Sequence, residues 1–155
     1  MKPINTTNIN EARKQIEKLK RENSQEKIAI LSQDDEFNRK AIEIRGLNLF
    51  VINEELNQKD YMKQRNSGLN EVLAKIASKN NISVGIDMNH IVRKESKEKA
   101  KSLARLGQNI MLCKKAGCRL ILINSSNLNS RKLQSLLLVL GASTKQAETA
   151  LKQPF

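Results

Sequence analysis

Short apolar runs alternating with amphipathic stretches predict an α/β fold with parallel strands in βα units. Three observations carry this prediction. Four brief apolar runs, at 28–31, 47–52, 82–88 and 119–124, have the length of buried strands. The stretches between them follow helical spacing, with apolar residues three and four apart. The crossovers run to about 10–25 residues, enough for a helix, which selects parallel pairing and right-handed βαβ units. Four strands are too few to close an eight-stranded barrel, so the sheet is expected to lie open or to form part of an incomplete TIM-like barrel.

Each element has a local cause. Ile9, Ala12, Ile16 and Leu19 define an amphipathic helix over 8–23, ending in polar residues. After the first strand, Ser32 and the acidic Asp34-Asp35-Glu36 favour a helix start by capping and by complementing the dipole. That helix continues through Phe37, Ala41 and Ile44 to Gly46. Beyond the second strand a polar connection, 53–65, leads to a helix at 67–79. Leu69, Val72, Leu73 and Ile76 are expected inward there, with Glu71, Lys75 and Lys79 spaced for i,i+4 pairing outside. The third strand precedes a long helix from about 94 to 116. After the fourth strand come a leucine-rich helix stopping at Gly141 and a final helix opening with the capping-box pattern Ser143-Thr144-Lys145-Gln146. Pro154 follows it.

The chain has 155 residues, which suits one domain over 1–155: a helical N-terminal segment (1–26) and the βα units (27–155). Aromatic residues make up only 3%, too few for a base-stacking platform. No stretch reaches the ~20 apolar residues that span a bilayer, and the N-terminus lacks an apolar signal core, so no membrane or export is expected. Cys113 and Cys118 with one His form neither a disulfide framework nor a zinc site. They read as reduced thiols filling the core of a cytoplasmic protein.

The formal net charge is +12, from 28 Lys and Arg against 16 Asp and Glu, and it is unevenly placed. Residues 93–155 hold 13 of the basic and 3 of the acidic side chains, a surplus of +10. Such a half points to a polyanionic partner, because neutralising phosphates releases condensed counterions. Lys94, Lys97, Lys101 and Arg105 fall at helical steps and are expected on one face, with Leu103, Leu106, Ile110 and Cys113 opposite. Lys114, Lys115 and Arg119 extend the charge at its C-terminal end, where cations suit the dipole, and Arg93 precedes the ridge. Arg131 and Lys132 add charge at the next helix start, where cations are unfavourable unless an anion sits there. Glu95 and Glu98 are the only acids among these residues, so the ridge is not expected to neutralise itself. RNA contact is the expectation; a merely solvated face is the alternative.

Ligands of such sheets gather at the carboxyl ends of the strands. Ser32, Asp34, Asp35, Glu54, Glu55, Asp87, Asn89, His90 and the Asn124-Ser125-Ser126 run lie there. Carboxylates with a His could serve a metal-dependent phosphoesterase, centred on Asp34, Asp35, Asp87 and His90. A single His is thin support, and the alternative is that Asp34 and Asp35 cap a helix while Asp87 and His90 sit in a solvated loop. No glycine-rich phosphate loop and no nucleophile elbow is present. A third reading is an interaction module whose open sheet edges are covered by a partner or by self-association.

The run Gln64-Arg65-Asn66-Ser67-Gly68-Leu69-Asn70-Glu71-Val72-Leu73-Ala74-Lys75-Ile76-Ala77 resembles the ribonuclease P protein component 3 family, the thirty-kilodalton subunit of the archaeal and eukaryotic enzyme. The likeness continues through the Asn80-Asn81 link and Ile82-Ser83-Val84-Gly85-Ile86. It includes Asp35-Glu36-Phe37-Asn38-Arg39-Lys40-Ala41, the run Leu120 to Ser126, the helix ending at Gly141 and the Ala-rich helix before Pro154. It spans about 27–154 and is strongest over 64–92. Arg65, Asn66, Ser67 and Gly68 carry over from that family's motif; the shorter loop 125–131, lacking a proline, departs from it. The resemblance implies a partial PHP-like barrel without its first strands. It also implies an RNA-bound, non-catalytic subunit with no metal site or directly bound cofactor of its own. The ribonuclease P RNA and its Mg2+ ions would remove 5′ leaders from precursor tRNA. The component 2 protein would be a partner. A scaffold of another ribonucleoprotein remains an alternative.

Overall fold

The computed structural model describes residues 3–56 and 59–152. The elements run α1 (Ile9–Glu22), β1 (Ala29–Leu31), α2 (Asp35–Ala41), β2 (Leu49–Val51), α3 (Glu71–Lys79), β3 (Ser83–Asp87), α4 (Met88–Arg93), α5 (Ser96–Ala116), β4 (Leu120–Ile123), α6 (Ser130–Val139) and α7 (Thr144–Leu151). The strands form one parallel sheet in the order β1-β2-β3-β4. Ile4 makes an isolated parallel bridge to Ile30 at the β1 edge.

The alternation of strand residues explains the layering. Ile30, Phe50, Val84, Ile86, Leu120 and Leu122 face the helices, where they meet Ile16, Phe37, Leu73, Leu106, Ile110 and Leu137 in one core. Ala29, Leu49, Val51 and Ile121 point to the opposite face and form a second, smaller cluster built from strand residues alone. Gly85 is required on that face: a Cβ there would lie 3.1 Å from the Leu49 side chain and 3.3 Å from that of Val51. Helices on one face of an unclosed parallel sheet are the arrangement of a partial TIM-like barrel. Among the described residues, no helix is long and apolar enough to cross a membrane.

Capping sets the helix starts. Asp34 Oδ1 accepts from the Phe37 N–H at 2.7 Å and Asn70 Oδ1 from that of Leu73 at 2.9 Å. The Asn70 cap corrects the expected helix at 67–79, which begins only at Glu71, and it rotates the buried face. Leu73, Ala74 and Ala77 lie inward, whereas Val72, expected inward, is 50% exposed. The expected Glu71–Lys75 pair forms at 2.9 Å. The helix expected to reach Gly46 ends at Ala41. The long helix expected over 94–116 is present as α5, starting at Ser96, and an unexpected short helix, α4, precedes it. Lys94 caps α4 in extended conformation and Glu95 precedes α5, so Lys94 does not continue the α5 face. The capping box at Ser143 is half formed: its Oγ accepts from the Gln146 N–H at 3.2 Å, but Gln146 Nε2 donates away, to the Ile110 carbonyl at 3.0 Å. Pro154 lies outside the described residues.

Candidate nucleic-acid interface

Arg65 to Gly68 is docked on α5 by its backbone. Gln108 grips Arg65 from both sides: Oε1 accepts from the Arg65 N–H at 3.1 Å and Nε2 donates to its carbonyl at 2.9 Å. Buried Ser67 donates from Oγ to Asn109 Oδ1 at 2.7 Å and accepts from Gln108 Nε2 at 3.0 Å. Gly68 has φ +73, the left-handed region that glycine enters at least cost, and this turns the chain beneath β2 and toward α3. Gln108 and Asn109 escaped the sequence reading. Their signal was two adjacent amides between Leu106 and Ile110 on an otherwise apolar stripe.

Part of the cationic ridge faces this connection rather than solvent. Lys94 Nζ donates to the Glu54 carbonyl (2.8 Å), to Glu54 Oε2 (3.0 Å) and to Ser102 Oγ (2.8 Å). Ser102 Oγ in turn donates to Glu54 Oε2 at 2.8 Å, closing a small polar network. The two charged side chains are 18% and 6% exposed, so this pair is structural. Arg105 reaches Asp60 at 3.0 Å, Arg65 approaches the same carboxylate at 3.7 Å, and the Asn66 N–H donates to it at 2.8 Å. Burial pushes the Asp60 carboxyl up. The Asn66 N–H and the Arg105 and Arg65 guanidiniums outweigh this and hold it below the usual carboxylate range. The neutralisation of Lys94 and Arg105 comes from outside the ridge: Glu54 and Asp60 lie 40 and 45 residues away in sequence.

The remaining cations are open. Arg93, Lys97, Lys114, Arg131 and Lys132 are exposed and make no ion pair among the described residues. Lys101 pairs with Glu98 at 2.9 Å and Lys115 with Glu71 at 3.3 Å, both at the surface, where such pairs yield readily to phosphate. These charges do not converge on one spot. Lys97 and Lys114 lie roughly 25 Å apart along α5 by its rise per residue. Arg131 and Lys132 occupy the first turn of α6, which holds no acidic residue. The arrangement is a spread of open cations over three helices, suited to an extended polyanion rather than to one small anion.

The carboxylates at the strand ends are engaged otherwise. Asp34 caps α2 and Asp35 accepts from the Tyr61 hydroxyl at 2.6 Å, a bond that raises the Tyr61 pKa. Asp87 Oδ1 accepts from the His90 N–H at 3.0 Å and its Oδ2 from Asn124 Nδ2 at 2.7 Å, placing His90 on α4 rather than in a loop. Among the described residues, no three His, Cys, Asp or Glu side chains gather as a metal site.

No protein-family model matches the chain. Over 124 residues it is 28% identical to the ribonuclease P protein component 3 of Methanococcus vannielii, an alignment taking 80% of this chain and 50% of that protein. The resemblance carried by residues 64–92 therefore has a named counterpart, and the chain spans about half of that curated relative. A chain in the cryo-EM structure of archaeal ribonuclease P with mature tRNA superposes with a TM-score of 0.73 at 23% identity, covering 94% of this chain and 61% of that one. At that identity the likeness shows the fold alone, the parallel βα arrangement.

Proposed function

We propose that the chain is an RNA-docking protein subunit of an archaeal ribonuclease P. The exposed cations Arg93, Lys97, Lys101, Lys114, Lys115, Arg131 and Lys132 neutralise phosphates of the ribonuclease P RNA. That RNA, with its own Mg2+, removes 5′ leaders from precursor tRNA. The observation that carries this reading is the spread of open cations, on a chain whose named relative is a component 3 protein. Arg65, Asn66, Ser67 and Gly68 act with Lys94 and Arg105: together they hold the connection after β2 in place and present the half-exposed Arg65 guanidinium at its surface. A second protein, the component 2 subunit or another copy, covers the open sheet edge at β4. Sequencing the RNA that co-purifies with tagged protein tests this. Recovery of a ribonuclease P RNA is expected; a particle without it, or leader removal by the isolated polypeptide, overturns the reading.

A further inference from the structure

A cavity of about 390 Å³ opens between the C-terminal end of α5, the start of β4 and α7. Three cations from three elements converge on it: Lys114, Arg119 and Lys145. None of its described lining residues is acidic. Lys114 and Lys145 are exposed and make no ion pair among the described residues, and Arg119 donates only to the neutral Asn81 Oδ1, at 3.3 Å. The walls beneath are of another kind. Cys118 is 7% exposed and offers its sulfur there, over Cys113 and Leu120 packed beneath at 0% and 1%, with the half-buried Thr149 alongside. Gln146, on the same wall, leaves Oε1 buried without a hydrogen-bond partner among the described residues.

A cationic mouth over an apolar wall selects for an anion that carries a flat, weakly polar body. Inorganic phosphate would satisfy the mouth alone, whereas a duplex is too wide for a cavity near the lower limit of small-molecule sites. We propose that this cavity takes one unpaired nucleotide of an RNA, its phosphate at Lys114, Arg119 and Lys145 and its base against Cys118, Gln146 and Thr149. This rests on the RNA-docking reading and adds a nucleotide-sized site at the end of α5 remote from Arg65–Gly68. With almost no aromatic residues in the chain, the base packs on the Cys118 thiol and the Thr149 methyl rather than stacking on a ring. A base N–H has the Gln146 Oε1 to donate to after a small side-chain shift. The Cys118 thiol reports on occupancy. Hydrogen bonding with Cys113 lowers its pKa against the effect of burial, helped by the charge of Arg119, while the same contact raises that of Cys113.

The full chain, isotope-labelled, is titrated with adenosine 5′-monophosphate, uridine 5′-monophosphate and inorganic phosphate, following the amide resonances of Gly117, Cys118, Ser143 and Lys145. Alkylation of Cys118 is timed in the same samples. Saturable shifts with the nucleotides, slowed Cys118 alkylation, loss of both in Lys145→Glu and their return in Lys145→Arg are expected. Equal shifts with inorganic phosphate, or no saturable shift with either nucleotide, overturn the proposal. Binding of a ribonuclease P RNA transcript to the same protein separates the two readings. If the transcript binds but nucleotides cause no shift, the cavity site falls and the docking surface stands. If neither binds, both fall.

Discussion

Two groups of cations around α5 are of similar size and are used in opposite ways. Lys94 ahead of the helix and Arg105 at its middle meet Glu54 and Asp60 at 3.0 Å, partly withdrawn from solvent, and their charge fastens the connection after β2 onto the helix. At its far end Lys114, Arg119 and Lys145 surround a cavity with no acidic lining among the described residues. A cation paired in a partly buried network contributes to architecture; a cation left without a counter-charge at the surface contributes to binding. The net surplus of a sequence segment is therefore an upper bound on the charge it offers a partner.

The largest effect that would break this contrast is at Glu54. Glu54→Ala leaves the Lys94 ammonium without its partner, and denaturant unfolding is expected to show a loss of about 3 kcal/mol. The double change with Lys94→Met recovers part of it. A Glu54→Ala loss under 0.5 kcal/mol would place the pair among ordinary surface contacts. Ser67→Ala and Asn109→Ala come next, each costing about 1–3 kcal/mol through an orphaned buried partner, and their double variant less than the sum. Full additivity would mean that the two side chains do not act as one contact.

A smaller effect sharpens the contrast through pH. The Asp60 carboxyl is depressed in the folded chain. Its contribution is therefore complete above the ordinary carboxylate pKa and is lost as pH falls through its lower folded value. Stability of the wild-type chain should decline on that acid limb, and Asp60→Asn should be less stable near neutrality with a shallower decline. Identical acid limbs would show that Asp60 is not an anchor.

The fold was legible because its strands are brief apolar runs separated by capped helices, signals that lie within a few residues of the feature they specify. Asp34 and Ser143 cap where the sequence indicates. The short helix α4 was not legible: Asp87, which caps it by accepting from the His90 N–H, reads equally well in the sequence as a solvated loop carboxylate. Val72 was misplaced because Asn70, not the preceding Ser67, starts its helix and resets the buried face. The resemblance, not the periodicity, singled out Arg65 to Gly68. That their backbone is clasped by Gln108 and Asn109 depends on a contact across more than forty residues, which periodicity does not encode.

The account depends on the open cations meeting phosphate while the paired ones do not. The measurement that tests this most directly is the slope of log Kobs against log salt for a ribonuclease P RNA transcript, in wild type, Lys97→Glu, Arg131→Glu and Lys94→Met. A steep negative slope is expected for wild type, shallower by roughly 0.7–0.9 for each open cation removed. Lys94→Met should leave the slope unchanged. A flat wild-type slope, or a change at Lys94 equal to that at Lys97, would contradict it.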